Sequence, residues 1–431
     1  LYLVGIGILA AAGTVLTLTG RRPSSAFGPP GTPELEIAER CRRKPAEERQ
    51  ACILAGLEAR IRPATVAGAM ASLKVLAMGD PDIEQDAHVY AHGIGIKGYL
   101  LGKDVAAVFG QCPADFASGC RHGAIQAYLE SRQSLDSVAL NGLCAPYRDP
   151  FSATGRWQLF QCVHGMGHGL IMMLGGDLPR ALTSCDMLSD PWDRDACYGG
   201  AFMENIMRAT APHHPASELA ASHHGHQAFQ AIDSTDLLYP CSIVANQYQR
   251  ACYQIQTAAI FHFTKGDVGA ASRACDRAPE TMQPTCYVSL GRDLSSKGRR
   301  DPGRVLRYCG ETGERHRPWC YYGATKALID WETDPTAGIT FCKRVGERPG
   351  FATCFLAVGE QLTALGRPMP EREATCRQAG GPRAVSACSW GAQLRGSVPP
   401  EDAGLVTTYF PAPPRSGPGP STTPPTPERS R

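Results

Sequence analysis

The sequence predicts an all-α chain, a disulfide-stapled α-solenoid of helix-pair repeats. Three observations predict it: paired cysteines at near-constant spacing, an aspartate eight residues ahead of most pairs, and glycines set inside otherwise helical segments. The eighteen cysteines fall into nine pairs: Cys41 with Cys52, Cys112 with Cys120, Cys144 with Cys162, Cys185 with Cys197, Cys241 with Cys252, Cys275 with Cys286, Cys309 with Cys320, Cys342 with Cys354, and Cys376 with Cys388. The gaps within pairs are 11, 8, 18, 12, 11, 11, 11, 12 and 12 residues. From Cys241 onward the first members recur every 33 or 34 residues, the period of helix-pair solenoids.

The aspartates give each repeat its start. Asp104, Asp136, Asp177, Asp233, Asp267, Asp301 and Asp334 each stand eight residues before the first cysteine of a pair. Aspartate is a preferred N-cap, and Pro302 and Pro335 follow as first-turn prolines, so each aspartate is expected to open a short helix that ends near the cysteine. The second cysteine is then expected to open a longer helix, as in Cys286-Tyr287-Val288-Ser289-Leu290-Gly291. Joining the end of one helix to the start of the next closes a loop of about ten residues, a staple contributing about 2–3 kcal/mol through the unfolded chain. Repeated spacing favours this local pairing over any long-range pattern. Eighteen cysteines paired in this way belong to an oxidising compartment, and the expected location is extracytoplasmic: periplasmic, cell-surface or secreted.

Over about residues 84 to 395 the pattern resembles the tetratricopeptide and Sel1-like class of helical repeats, in its period, short loops and aspartate-led helices. It lacks the aromatic, glycine and proline signature of tetratricopeptide repeats. The resemblance implies a scaffold with a concave face, and hence a protein or peptide partner seated on that face.

Taken in order, residues 1–20 form an uncharged, almost wholly apolar run that reads as a signal peptide or a membrane anchor. Ser24-Ser25-Ala26 offers a cleavage site, whereas Arg21-Arg22 directly after the run sits awkwardly with export under the positive-inside tendency. The balance favours a transmembrane anchor, with a basic stretch expected ahead of Leu1. Residues 21–33 are a polar, proline-rich linker, and residues 34–395 are the helical-repeat domain. Within it Cys41 and Cys52 mark an entry repeat, and a further helix is expected from Pro63 to Met78. The repeat around Tyr90 has no cysteine between Cys52 and Cys112 and lacks a staple. Residues 396–431, with ten prolines from Pro399 onward, form a disordered tail. A formal charge of +2 over 431 residues carries no basic excess of the kind nucleic-acid binding uses, so no nucleic-acid partner is expected.

The histidines are confined. His122 and His164 lie two residues after Cys120 and Cys162, and His92 lies two after Tyr90, which stands where a second cysteine is expected. A glycine follows each: Gly93, Gly123, Gly165. Equivalent positions on stacked repeats form a stripe, so these imidazoles are expected to be neighbours. His88 with His92, and His164 with His168, add a second histidine one turn away on the same helix face, and Gln126 takes that place beside His122. Such pairs chelate transition metals, and two of them build a four-histidine centre or two separate sites. Glu204 is the added carboxylate. Between Cys197 and Asp233 an insertion of roughly twenty residues carries His213, His214, His223, His224 and His226, a lid or a source of further ligands. The histidine-rich part is therefore residues 84–232.

The leading expectation is an extracytoplasmic helical-repeat protein that binds copper, iron or zinc, or haem, through His88, His92, His122, His164, His168 and Glu204. An all-imidazole site suits redox chemistry better than hydrolysis. Two alternatives stay open: a non-catalytic protein- or peptide-binding scaffold whose histidines are hydrogen-bonded across helices, and metal sequestration or delivery. Zinc held by Cys120 with His122 and Cys162 with His164 is set aside, because the same cysteines recur in repeats without histidine. Phosphate-binding loops, nucleophile elbows, haem-attachment motifs and His-Glu-x-x-His are all absent from the sequence.

Overall fold

The short helices begin where the aspartates stand. In the computed structural model, which describes residues 27–61, 65–132, 134–148, 155–210 and 229–397, Asp104, Asp136, Asp177, Asp267, Asp301 and Asp334 each cap a helix by accepting a backbone N–H two or three residues on. Asp80 does the same for the helix Pro81–Gln85 ahead of Tyr90. Asp233 departs from the expectation. Its carboxylate accepts the Thr235 N–H and hydroxyl at 2.7 and 2.8 Å, and the segment up to Cys241 runs in turns. Pro240, directly before that cysteine, has no N–H to contribute to a helix.

All eighteen cysteines are disulfide-bonded in the pairs the spacing predicts, with Cα atoms 5.4–5.8 Å apart. Cys120, Cys286, Cys320 and Cys354 stand in the first turn of their longer helices, as expected, but the second cysteine of other pairs does not open its helix. Cys197 lies well inside Pro191–Thr210, Cys388 inside Pro382–Gly391, and Cys252 near the end of Asn246–Tyr253, after which the chain restarts as Thr257–Thr264. Pro191 and Pro382, favoured in a first helical turn, set the earlier starts. The helix expected from Pro63 is observed as Val66–Gly79, capped by the Thr65 hydroxyl.

Among the described residues every regular element is helical. Eight helices that stack in succession carry the architecture and are numbered here: α1 (Ala87–Gly102), α2 (Gly119–Glu130), α3 (Gly155–Met173), α4 (Pro191–Thr210), α5 (Gln283–Lys297), α6 (Arg317–Glu332), α7 (Phe351–Ala364) and α8 (Pro382–Gly391). Each packs on the next within two quartets, α1–α4 and α5–α8, bridged by the helices at 246–253 and 257–264. The short capped helices pack beside the longer ones.

Glycine sets the closest approaches. A Cβ on Gly95 of α1 would strike the Cys120 carbonyl oxygen of α2, and one on Gly123 of α2 would strike the His92 carbonyl oxygen of α1. The same reciprocal contact joins Gly167 and Gly200 across α3 and α4, Gly291 and Gly323 across α5 and α6, and Gly359 and Gly391 across α7 and α8. With hydrogen in place of a side chain, each helix can lay a Cα–H against its neighbour's carbonyl. The cost of glycine inside a helix is thus met by helix-on-helix packing.

No helix of the described residues is long and apolar enough to cross a membrane. The apolar run 1–20, the tail from 398 and the insertion residues 211–228 with their five histidines lie outside the described residues.

Candidate metal centre

The close crossings bring the histidine-bearing faces of α1, α2 and α3 together. His88 and His92 ring centroids lie 4.7 Å apart, His92 and His122 5.5 Å, and His88 and His122 5.7 Å. One ring nitrogen from each of these three lies within 4.8 Å of the other two. His168 joins from α3 at 5.4 Å from both His92 and His122. His164 lies beyond, 5.2 Å from His122 and 5.1 Å from His168, and stacks on Phe160 at 5.3 Å. The five imidazoles therefore form a connected cluster, with His164 at its outer edge.

Four of the five have one nitrogen fixed by a protein acceptor. His88 Nδ1–H donates to the Phe116 carbonyl at 2.7 Å, His122 Nε2–H to Gln161 Oε1 at 2.5 Å, His164 Nδ1–H to the Ala196 carbonyl at 3.3 Å, and His168 Nδ1–H to Glu204 Oε2 at 2.9 Å. Carbonyl and carboxylate oxygens only accept, so each ring carries its proton on that side. The opposite nitrogen then bears a lone pair. His88 Nε2, His122 Nδ1 and His168 Nε2 are buried and have no hydrogen-bond partner. Leaving a buried polar atom unpaired is costly, and three such atoms in one cluster mark a place where a cation would satisfy them.

Burial keeps these rings neutral. It holds His88 down to about 4 and His168 to about 3, and it holds His122 and His164 well below the ordinary imidazole value, with neighbouring histidines adding to the effect. Neutral imidazole is the metal-binding form.

Glu204 occupies a different place from the one expected of it. Its carboxylate, 3% exposed, stands behind His168, the carboxylate–histidine arrangement that orients metal-binding imidazoles. Gln126 turns to Glu130, donating from Nε2 at 3.2 Å. The acceptors Phe116, Gln161 and Ala196 were not signalled by the sequence. Two act through main-chain carbonyls, which carry no residue signature, and Gln161 stands one place before Cys162 with no counterpart in the other repeats.

A metal site needs its imidazoles to converge, whereas histidines of a purely structural kind are engaged by the protein. His88, His122 and His168 each spend one nitrogen on the protein and keep the other unpartnered within the cluster. No known protein family, no curated protein and no solved structure matches the chain.

Proposed function

We propose that this is an exported metal-binding protein whose first quartet holds one transition-metal ion on His88, His92 and His122, with His168 as fourth imidazole and Glu204 orienting His168. The observation that carries this reading is the convergence of His88, His92 and His122, one ring nitrogen of each within 4.8 Å of the others, beside buried nitrogens of His88, His122 and His168 that lie opposite a protein-held N–H and have no partner. Every cysteine is in a disulfide, so no thiolate competes for the ion, and imidazole without thiolate suits copper, iron or zinc. An ion fits better than haem, because centroid separations of 4.7–5.7 Å leave no slot between the rings for a macrocycle. His164, which stacks on the half-buried ring of Phe160, would carry electron exchange if the ion is redox-active.

The rest of the chain is read as its carrier. In this reading the quartets belong to an α-solenoid of the tetratricopeptide and Sel1-like kind over residues 34–395. Nine disulfides suit an oxidising, extracytoplasmic setting, and residues 1–20 would be the signal or the membrane anchor.

Elemental analysis of the oxidised protein, purified without a histidine tag, tests the reading. The expected result is about one equivalent of copper, iron or zinc, lost in the His92→Ala/His122→Ala/His168→Ala variant while helical circular dichroism persists. Absence of bound metal in the wild type, even after reconstitution with each ion, would overturn it.

A further inference from the structure

Nine non-glycine residues among those described have a left-handed backbone. Lys103, Lys265 and Thr333 are helix C-caps, while Arg299, Arg300 and Gln393 directly follow helix ends; chains often turn left-handed at such places. Phe116, Ala117 and Ser118 are different. They have φ of 55°, 51° and 59° and lead into α2 instead of closing a helix. Three consecutive side-chain-bearing residues in this region are disfavoured and persist only where the surroundings impose them.

The strained turn touches the metal centre directly, since its Phe116 carbonyl accepts the His88 Nδ1–H. Two constraints hold it in place. The Cys112–Cys120 disulfide closes the shortest stapled loop of the chain, eight residues against eleven or more elsewhere, and the turn lies inside that loop. The second constraint comes from the other quartet. Trp331 of α6 meets the Phe116 ring edge-on at 5.8 Å, and the Arg300 guanidinium lies 3.9 Å from the Trp331 ring centroid. Arg300 in turn donates from Nε and Nη2 to Glu84 at 3.0 and 2.6 Å, and Arg299 pairs with Asp82 at 3.3 Å. Glu84 sits in the helix that leads into α1, which bears His88.

We infer that Trp331, Arg300 and Glu84 form a clasp by which the second quartet holds the 116–118 turn in its left-handed form, making them positioning residues for His88. The clasp joins both sides of the His88–Phe116 hydrogen bond: Trp331 bears on the carbonyl side, and Glu84 on the helix preceding the imidazole side. Opening it lets the turn relax, moves the Phe116 carbonyl and frees His88 to rotate its lone pair away from His92 and His122. By reciprocity, a bound ion that fixes His88 tightens the clasp. The inference rests on the metal reading.

The test titrates full-length, oxidised protein with Co(II), followed by its visible d–d absorption and by competition with a chelator. Loss of a group that orients a metal ligand weakens binding by about 10–100-fold. Trp331→Ala and Glu84→Gln are expected to fall in that range with a changed band shape, and Trp331→Phe to recover most of the affinity. Phe355→Leu, which alters a buried ring of α7 that meets Phe351 and belongs to none of the clasp contacts, is expected to bind as the wild type does. If the wild type binds Co(II) and both Trp331→Ala and Glu84→Gln match it in affinity and spectrum, the clasp is overturned and the metal site stands. If the wild type binds neither Co(II) nor copper, iron or zinc, the metal reading fails and the inference with it; if it binds one of those ions and not Co(II), the same chelator competition is run with that ion and decides between the same two outcomes. Should Trp331→Ala not fold, Glu84→Gln decides the question, together with hydrogen exchange of residues 112–120, whose protection is expected to rise on Co(II) binding only when the clasp is intact.

Discussion

In the first quartet the residue two places after the helix cysteine, or after Tyr90, is His92, His122 and His164 in α1–α3 and Gly199 in α4; in the second it is Val288, Tyr322, Leu356 and Trp390. The backbones beneath them meet in the same way. Gly123 lies against the His92 carbonyl and Gly200 against that of His164, as Gly323 lies against Val288 and Gly391 against Leu356. What differs is how the polar groups are satisfied. In the second quartet the Tyr322 hydroxyl donates to Glu360, Lys326 pairs with Glu360 at 3.5 Å, and Gln361 donates to Asp330. These donors and acceptors complete one another, and what α6 leaves over are N–H donors, Trp331 Nε1 and Arg317 Nε. In the first quartet the rings supply acceptors to one another's space, with His88 Nε2, His122 Nδ1 and His168 Nε2 left over. One frame therefore carries carboxylate-centred pairs in one half and a cluster of imidazole lone pairs in the other.

The sharpest break between shared frame and separate chemistry is expected from matched glycine substitutions. Gly123→Ala and Gly323→Ala should each lower unfolding stability by about 3 kcal/mol or more, because backbone carbonyls cannot yield as side chains do. Only Gly123→Ala should also abolish metal uptake, as measured by denaturant unfolding alongside elemental analysis. If both variants lose metal equally, the halves are one cooperative site and the comparison falls.

Metal addition should act on one half first. At a free ion concentration one hundred times the dissociation constant, binding stabilises the folded state by about 2.7 kcal/mol. Hydrogen exchange should report slower opening in α1–α3 before any change in α7 and α8. Uniform slowing would remove the distinction.

Acidity should separate the halves by sign. Burial holds His88 and His168 near 4 and 3 in the folded chain, below the unfolded imidazole value of about 6.5. The unfolded chain binds more protons in between, so the metal-free first quartet loses stability as pH falls from about 6.5 toward 4, by at most about 1.4 kcal/mol per pH unit for each ring. Asp330 runs the other way, since burial of its carboxyl raises it to about 7. The unfolded chain releases that proton near pH 4, so this contribution falls as pH rises from about 4 to 7. Asp330→Asn should flatten the pH dependence of unfolding above pH 5 and leave the acid limb unchanged. Loss of the acid limb in that variant would contradict the assignment to the histidines.

The smallest effect tests equivalence. Asp104→Ala and Asp301→Ala each remove a cap that accepts a backbone N–H three residues on, at 3.0 and 2.8 Å, and each should cost about 1 kcal/mol. Metal content should stay the same in both. A much larger loss for Asp104→Ala would mean that its short helix braces the metal centre.

The sequence by itself determined the helical class, the nine disulfides and the starts of the aspartate-led short helices. These rest on local physics, in which an aspartate finds its own N–H groups three residues on and a cysteine eleven residues away is reached without crossing the molecule. It also showed that His92, His122 and His164 share one repeat position. Tertiary structure decided the rest. Which helices pair at glycine, how far His164 lies from His92, and that Glu204 stands behind His168 all depend on the angle and depth at which packed helices cross. The Phe116 carbonyl and the Trp331 contact were illegible for the same reason: one is a main-chain group, and the other joins residues 215 positions apart. Spacing along a chain records what a helix presents, whereas the direction in which a ring nitrogen is protonated is set by whichever neighbour the fold places against it.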